Sequence, residues 1–214
     1  MVNIVLDQDE IDECITFSKK CAKAQQEIEF GQEDTKPRSC KEIARDNLIG
    51  KIAEVAFAKF MKDKYNIEIQ LDFEYYPRGV WDDQDAVING WRIDVKGTRQ
   101  GGKWLLIEWN KLRFRKKQRL LSHFYVMSSV GWDRNNDLPT GFVDLVGYAT
   151  LGQLKKGFEN TFIIKKGDKL PGTNTILQAD NYGRKFSDLA KDWNKMIYCI
   201  KDKEVAETSS YDGI

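Results

Sequence analysis

The chain has 214 residues, of which 41% are hydrophobic, 12% aromatic and 31% charged, and its formal net charge is +1. This length and composition allow one substantial core with extensions, whereas no apolar run approaches the roughly 18 residues that span a bilayer, so neither a membrane protein nor a disordered one is indicated. The N-terminal residues MVNIVLDQDE lack a basic segment followed by a long apolar core. We therefore expect a cytoplasmic location.

The residue types limit the metal chemistry. Cys14, Cys21, Cys40 and Cys199 form neither a CxxC pair nor a disulfide framework, so we expect reduced thiols in or near the core. The one histidine, His123, excludes a mechanism that needs two imidazoles, and we expect it to be structural, at the end of a helix. A catalytic metal would be held mainly by carboxylates, and oxygen ligands favour Mg²⁺, with Mn²⁺ as the alternative.

Two helices are predicted first along the chain. Apolar spacing predicts a helix over residues 8–30 with Gly31 as its stop, and the polar stretch GQEDTKPRS predicts a linker. Ser39 followed by Glu42 predicts a capping box, which opens a second helix over residues 40–64.

The hydrophobic period then changes from that of a helix to that of a strand. Asn89-Gly90 predicts a two-residue hairpin turn inside DAVINGWRIDVKGT, and a basic helix is predicted over residues 111–123. Further strands are predicted at residues 67–73, 103–109, 124–130 and 141–149. The order of helix, three or four strands, helix and strand predicts a mixed sheet with helices packed on it, in the α/β or α+β class.

The predicted turn fixes the pairing of the hairpin. Counting outwards from Asn89-Gly90 places Asp85 opposite Asp94, with Lys96 on the same face of the strand. The other face carries apolar residues that we expect in the core: Ala86, Ile88, Trp91, Ile93 and Val95. Two adjacent carboxylates destabilise the fold unless a proton or a cation lies between them, and a divalent metal ion fits that position. The alternative is an exposed sheet face with Asp83–Lys96 and Asp–Arg pairs.

Glu54 is a second acidic candidate. It is the one polar residue in IAEVAFA (52–58), and its neighbours at i−4 and i+4 are Gly50 and Ala58. We therefore expect no lysine partner on its own helix, so that Glu54 either binds a cation or points into solvent at the edge of the helix.

Basic residues are concentrated after the hairpin. Residues 91–119 contain ten basic and two acidic residues, although the whole chain is nearly neutral. Such a run predicts a surface that binds a polyanion, or alternatively a solvated helix face.

Glu54, Asp85 and Asp94-Val95-Lys96 together resemble the motif of the PD-(D/E)xK nuclease superfamily, to which restriction endonucleases and junction resolvases belong. The resemblance covers roughly residues 40–130, and Gln84 replaces the motif's proline. It implies a restriction-endonuclease-like αβββαβ core with a mixed central sheet flanked by helices. We accordingly expect an N-terminal helical extension at 1–38, the nuclease core at 39–150 and a C-terminal extension at 151–214 that packs on the core.

The resemblance implies a metal-dependent endonuclease that acts on DNA. Asp85, Asp94 and the Val95 carbonyl would bind Mg²⁺ or Mn²⁺. Glu54 would bind or orient the metal or its water, and Lys96 would position the attacking water or stabilise developing charge. Gln118 resembles an accessory glutamine of some members. Contacts to DNA phosphates are expected from Arg99, Lys103, Lys111, Arg113, Arg115, Lys116, Lys117 and Arg119.

Two other readings of the sequence remain open. One is a non-catalytic nucleic-acid-binding or assembly module on the same fold, and the other is an unrelated α/β protein with a polar hairpin. Since many members of the superfamily cut both strands as dimers, the resemblance is also compatible with a homodimer.

Overall fold

The computed structural model describes residues 1–26, 39–74, 85–108, 112, 121–154 and 158–202. Its helices are α1 (Gln8–Gln26), α2 (Cys40–Tyr65) and α3 (Trp193–Asp202), with short 3₁₀ turns at Gly152–Leu154 and Phe186–Asp188. Its strands are β1 (Val2–Val5), β2 (Ala86–Ile88), β3 (Trp91–Arg99), β4 (Trp104–Glu108), β5 (Phe124–Asp133), β6 (Leu138–Thr150), β7 (Phe162–Ile164) and β8 (Asn181–Lys185).

The capping box at the start of α2 is confirmed. The hydroxyl of Ser39 accepts the backbone N–H of Glu42, while the carboxylate of Glu42 accepts the backbone N–H of Ser39 at 2.8 Å. The helix ends at Asn66, whose positive φ of 53° closes the last turn. Helix α1 begins where the spacing predicts, and residues 27–30 of that prediction, like most of the predicted linker, lie outside the described residues.

The strands form two sheets. The larger sheet has the order β1-β6-β5-β3-β2 and is mixed, because β3 and β5 are parallel while its other pairs are antiparallel. The smaller sheet, β4-β8-β7, is antiparallel. The chain is therefore a mixed α and β protein, as its sequence predicts.

One strand prediction is wrong and another is confirmed. Residues 67–73 belong to no strand, although their burial alternates, because Ile67 and Ile69 pack on the core without a hydrogen-bonded neighbouring strand. The predicted strand at 103–109 is present as β4, which pairs with β8. Its residues Leu105 and Ile107 are buried, so β4 lies over a face of the larger sheet rather than along its edge.

The larger sheet is covered on both faces. Phe124 and Val126 of β5 pack with α2 and α3, and the alternate residues Tyr125 and Met127 pack with β4 of the second sheet. Helix α1 packs on the first part of α2. The sheet thus has a helical layer on one side and the smaller sheet on the other.

The first strand and the last described helix both contribute to the main core. β1 pairs antiparallel with β6, Val2 lying opposite Leu145. Met196 and Ile200 of α3 are fully buried in the cluster that contains Phe60 of α2. No helix among the described residues is long and apolar enough to cross a membrane. All four cysteines are free thiols.

Helix α2 approaches β3 closely at Gly97. A Cβ atom at this position would lie 2.6 Å from the carbonyl oxygen of Ile49 and 3.1 Å from the Cβ of Ala53. Only glycine permits this distance, because backbone atoms on both sides cannot move independently. Gly97 follows Lys96 directly, so the helix that carries Glu54 is held against the strand that carries the Asp94-Val95-Lys96 motif.

We predict that Gly97→Ala destabilises the protein by about 1–3 kcal/mol, because the added methyl group must displace α2 from β3. Urea unfolding followed by circular dichroism measures this change. Gly50→Ala on the same helix is the control. No atom lies within 4 Å of its added Cβ, and a helical alanine stabilises by about 0.5–1 kcal/mol relative to glycine. A Gly97→Ala variant as stable as the wild type would contradict the close contact.

Candidate active site

The hairpin has the predicted turn and register. Asn89 and Gly90 both have positive φ, at 49° and 77°, as a type I′ turn requires. Ile88 pairs with Trp91 and Ala86 pairs with Ile93. The next pair outward is Asp85 and Asp94, and the turn itself is tied to α3 by a hydrogen bond from the Asn89 side chain to the Ile200 carbonyl at 3.1 Å.

Asp85 lies at the open end of the hairpin, just before β2. Its Oδ2 accepts the backbone N–H of Val95 at 2.6 Å, which satisfies a donor of β3 beyond the end of the ladder. Its carboxyl group is also hydrogen-bonded to that of Asp94. The sequence predicts a role for the Val95 carbonyl, whereas the contact that the structure shows is made by the Val95 amide.

The surroundings of Asp85 favour its protonated form. Burial raises the pKa of Asp85 well above its ordinary 3.8, and the neighbouring carboxylates of Asp94 and Glu54 raise it further, against the opposing effect of Lys96. Asp85 therefore holds a proton more strongly than an ordinary aspartate. A cation that replaced the proton would relieve the same repulsion.

Lys96 forms an ion pair with Asp94 on the same strand. Burial lowers the pKa of Lys96, but the carboxylates of Asp94 and Asp85 raise it more, so the net shift is upward. The side chain is therefore an ammonium at neutral pH. The alternative pairing of Lys96 with Asp83 involves a residue outside the described residues.

Successive side chains of β3 point to opposite faces of the sheet, so the position of a residue along the strand determines the face on which its side chain lies. Asp94 and Lys96 are in register with Tyr125 and Met127, which face the second sheet. Glu54 lies on α2, which packs on the other face, and its charge nevertheless acts on Asp85 and Lys96. Glu54 is thus an electrostatic neighbour of the hairpin cluster.

The carboxylate of Glu54 has a partner that its sequence context did not predict. The Nζ of Lys51 lies 2.5 Å from Glu54 Oε2, and the two side chains are 4% and 16% exposed. The expectation that Glu54 has no lysine partner on its own helix is therefore wrong. The i+4 and i−4 positions hold no lysine, but the i−3 position does, and helical neighbours three residues apart also touch.

Of the predicted contacts to phosphate, Arg99 and Lys103 fall in the described part of the chain. Both are exposed. Arg99 lies on the opposite face of β3 from Lys96, and its guanidinium is 6.0 Å from the centre of the Trp132 ring. Most of the predicted basic helix lies outside the described residues. The predicted accessory glutamine and the remaining predicted phosphate contacts belong to this part of the chain: Lys111, Arg113, Arg115, Lys116, Lys117, Gln118 and Arg119.

Two of the three predicted acidic ligands, Asp85 and Asp94, are in contact with each other. Among the described residues, no group of three or more His, Cys, Asp or Glu side chains is placed to hold one metal ion. Asp85 and Asp94 are in contact, whereas Glu54 is engaged by Lys51. Comparison of the chain with models of protein families, with curated proteins and with solved structures finds no match.

His123 has a structural role beside the hairpin. Its Nδ1 accepts the backbone N–H of Arg92 at 2.9 Å, and its ring lies edge-on to Trp91 with centroids 5.0 Å apart. Burial, together with the nearby Arg92 charge, lowers the pKa of His123 from 6.5 to about 4. The ring is therefore neutral in the folded state, and it anchors the start of β5 to β3. Residues 121–123, where the predicted basic helix ends, are not helical, so His123 precedes β5 directly rather than ending a helix; residues 113–120 lie outside the described residues.

We predict that the protein loses up to about 3 kcal/mol of stability as the pH falls from the unfolded-state pKa of His123 towards its folded-state pKa. The unfolded chain takes up the proton first, so this contribution is present above pH 6.5 and is lost towards pH 4. His123→Asn keeps the acceptor but cannot titrate. Urea unfolding at several pH values should show a shallower acid dependence in the variant, and an unchanged slope would refute the assignment.

We predict that Asp85→Asn stabilises the metal-free protein at neutral pH. A raised folded-state pKa favours folding at low pH, and this contribution is lost as the pH rises from the unfolded-state to the folded-state value. Asparagine retains an acceptor for the Val95 amide and a donor for Asp94 but cannot ionise. Asp94→Asn should instead destabilise, because it leaves Lys96 without its carboxylate. Thermal unfolding in EDTA measures both, and a destabilised Asp85→Asn would contradict the raised pKa of Asp85.

Proposed function

We propose that this protein is a metal-dependent endonuclease that hydrolyses phosphodiester bonds in DNA. The observation that carries the proposal is the contact of Asp85 with Asp94 beside the Lys96 ammonium. Two adjoining carboxyl groups in a hairpin repel each other and so oppose folding. A purely structural role therefore does not explain them. The arrangement suits a site that exchanges its proton for a divalent cation.

The side chains present fit Mg²⁺ or Mn²⁺. Both are hard cations that prefer oxygen, and Mg²⁺ is often held by one or two carboxylates with water completing its shell. Asp85 and Asp94 would hold the ion, with the Val95 carbonyl as the further oxygen that the resemblance implies. A bound divalent ion would lower the pKa of a water molecule and neutralise charge on the phosphate.

Lys96 supplies the positive charge that the protein itself contributes to the reaction. An ammonium has three N–H donors, of which the ion pair with Asp94 uses one. The remaining donors would bind a non-bridging phosphate oxygen and stabilise the charge that develops there. Because Asp94 and Asp85 keep the amine protonated, Lys96 orients the phosphate and its attacking water rather than removing a proton.

DNA would reach the hairpin from the side of the smaller sheet. Asp94 and Lys96 lie on that face of β3, and Lys103 directly precedes β4, which packs on it. Lys103 and Lys185 both line a cleft of about 470 Å³. Together with the basic residues that follow β4 in the sequence, these cations would bind phosphates without reading the bases.

A second candidate function is a nucleic-acid-binding or assembly module that does not cleave. The observation that favours it is the Lys51–Glu54 ion pair, which leaves the hairpin with two rather than three carboxylates for a cation. The two functions differ in whether they require the aspartates. Binding needs only the basic surface, whereas hydrolysis needs Asp85, Asp94 and Lys96.

We predict that the wild-type protein cleaves DNA in Mg²⁺ or Mn²⁺ and that EDTA abolishes cleavage. Asp94→Asn and Lys96→Met should each lower the cleavage rate by roughly 100-fold or more, because the first removes a metal-binding carboxylate and the second removes the ammonium that stabilises charge on the reacting phosphate. Supercoiled, linear and single-stranded DNA serve as substrates, with products resolved on gels. The control is Asp144→Asn on β6, a carboxylate hydrogen-bonded to Asn3, which should cleave at the wild-type rate.

The same samples separate the two functions. Binding of labelled DNA, measured by fluorescence anisotropy at several salt concentrations, should survive Asp94→Asn, because phosphate contacts do not use this carboxylate. DNA binding by the wild type without cleavage in any metal would favour the non-cleaving module. Cleavage that persists in EDTA or in Asp94→Asn would refute the assigned mechanism.

A further inference from the structure

Lys51 is an unusual residue for the interior of a helix. Its side chain is 4% exposed, although it lies on α2 among apolar neighbours. A buried ammonium is costly unless several groups replace its lost water. Lys51 has such groups, since its Nζ lies 2.5 Å from Glu54 Oε2 and donates to the carbonyl oxygen of Asp72 at 2.7 Å.

Aromatic rings complete the environment of Lys51. The Nζ lies 4.5 Å from the centre of the Phe17 ring on α1 and 5.1 Å from that of Phe73. The two rings pack edge to face at 5.8 Å. An ammonium within about 6 Å of an aromatic face is stabilised by the ring quadrupole. Lys51 therefore joins α1, α2 and the chain segment that leads towards Asp85.

The ion pair with Lys51 weakens the attraction of the Glu54 carboxylate for a metal ion. A carboxylate bound to a buried ammonium is neutralised and fixed in orientation, so its attraction for a divalent cation is weaker than that of an unpaired carboxylate. The hairpin has its own pair, Lys96 with Asp94, and the charges of both this pair and Glu54 act on the carboxyl group of Asp85. Each lysine thus offsets one of the three acidic charges.

We propose that Lys51 is a positioning residue that keeps Glu54 out of the metal's ligand set, so that the site binds one divalent ion through Asp85 and Asp94. This inference rests on the proposed function and deepens it, because it assigns the metal ligands and the number of metal ions. The helix glutamate then acts as part of a neutral Lys51–Glu54 unit beside the site.

The test measures metal binding rather than cleavage. Mn²⁺ is titrated into the full-length protein by isothermal titration calorimetry, with a fixed salt concentration and with circular dichroism to verify folding. The informative variant is Lys51→Met/Glu54→Gln, which replaces the ion pair by uncharged groups of similar length. Replacing both partners of a buried pair preserves folding better than removing one, because no isolated charge remains.

We expect the double variant to bind one Mn²⁺ with an affinity within about threefold of the wild type, since the aspartates are untouched. Lys51→Met alone should bind Mn²⁺ at least about tenfold more tightly or bind a second ion, because it releases the Glu54 charge. Lys51→Arg, which keeps the charge, should behave as the wild type. Lys59→Met is the matched control, because it removes the Lys59–Glu10 ion pair at 2.7 Å elsewhere on α2 and should leave Mn²⁺ binding unchanged.

Two results would overturn the inference in distinguishable ways. A double variant that binds Mn²⁺ at least about tenfold more weakly than the wild type would show that Glu54 is itself a ligand, and the proposed nuclease function would stand. Absence of Mn²⁺ binding by the wild type would overturn the proposed function and this inference together. If Lys51→Met fails to fold, the double variant and Lys51→Arg still decide the question.

Discussion

The contact between two carboxyl groups at the open end of a β-hairpin is the constraint on which the rest of the site depends. A two-residue turn with positive φ at Asn89 and Gly90 leaves the register no freedom, so the pairs that follow outward are determined. A slip by one residue would turn Ile93 and Val95 out of the core, where they are at most 3% exposed. Burial on one face therefore forces aspartate against aspartate on the other. The ammonium of Lys96 offsets part of this repulsion, and the remainder raises the pKa of Asp85.

The charge of Glu54 is balanced in a different way, because Glu54 lies on a helix that packs against the sheet rather than in the hairpin. Helix α2 approaches β3 at Gly97 closely enough for the charge of Glu54 to act on Asp85. The carboxylate itself is bound by Lys51, whose ammonium is enclosed by aromatic rings and a backbone carbonyl. Two lysines thus balance the acidic groups, one on each side of the sheet. Such a distribution keeps the net charge of the cluster small.

Features that depend on residues close together in the sequence could be predicted from it. Features that depend on contacts between distant segments could not. The capping box at Ser39, the turn at Asn89-Gly90 and the Asp85–Asp94 juxtaposition follow from residues close in the chain, whose geometry is set by backbone sterics. The alternation at 67–73 shows only that one side of this segment is buried. It does not show whether another strand lies beside the segment, and the structure has no strand here. Likewise β4 has the expected limits but pairs with β8, about 80 residues later. The Lys51–Glu54 pair was accessible from i−3 spacing, whereas its aromatic enclosure by Phe17 and Phe73 depends on tertiary packing.

The pairing of β1 with β6 and the burial of Met196 and Ile200 have a consequence for biosynthesis. A polypeptide that leaves the ribosome with its N-terminal end first cannot complete this core until α3 has been synthesised. Asn89, in the turn of the acidic hairpin, is itself tied to Ile200. Nascent chains should therefore remain without a rigid hairpin, and without the cluster that it organises, until α3 has been synthesised. Long sequence separation between contacting segments also slows folding, so a delay between release of the chain and acquisition of its mature form is expected.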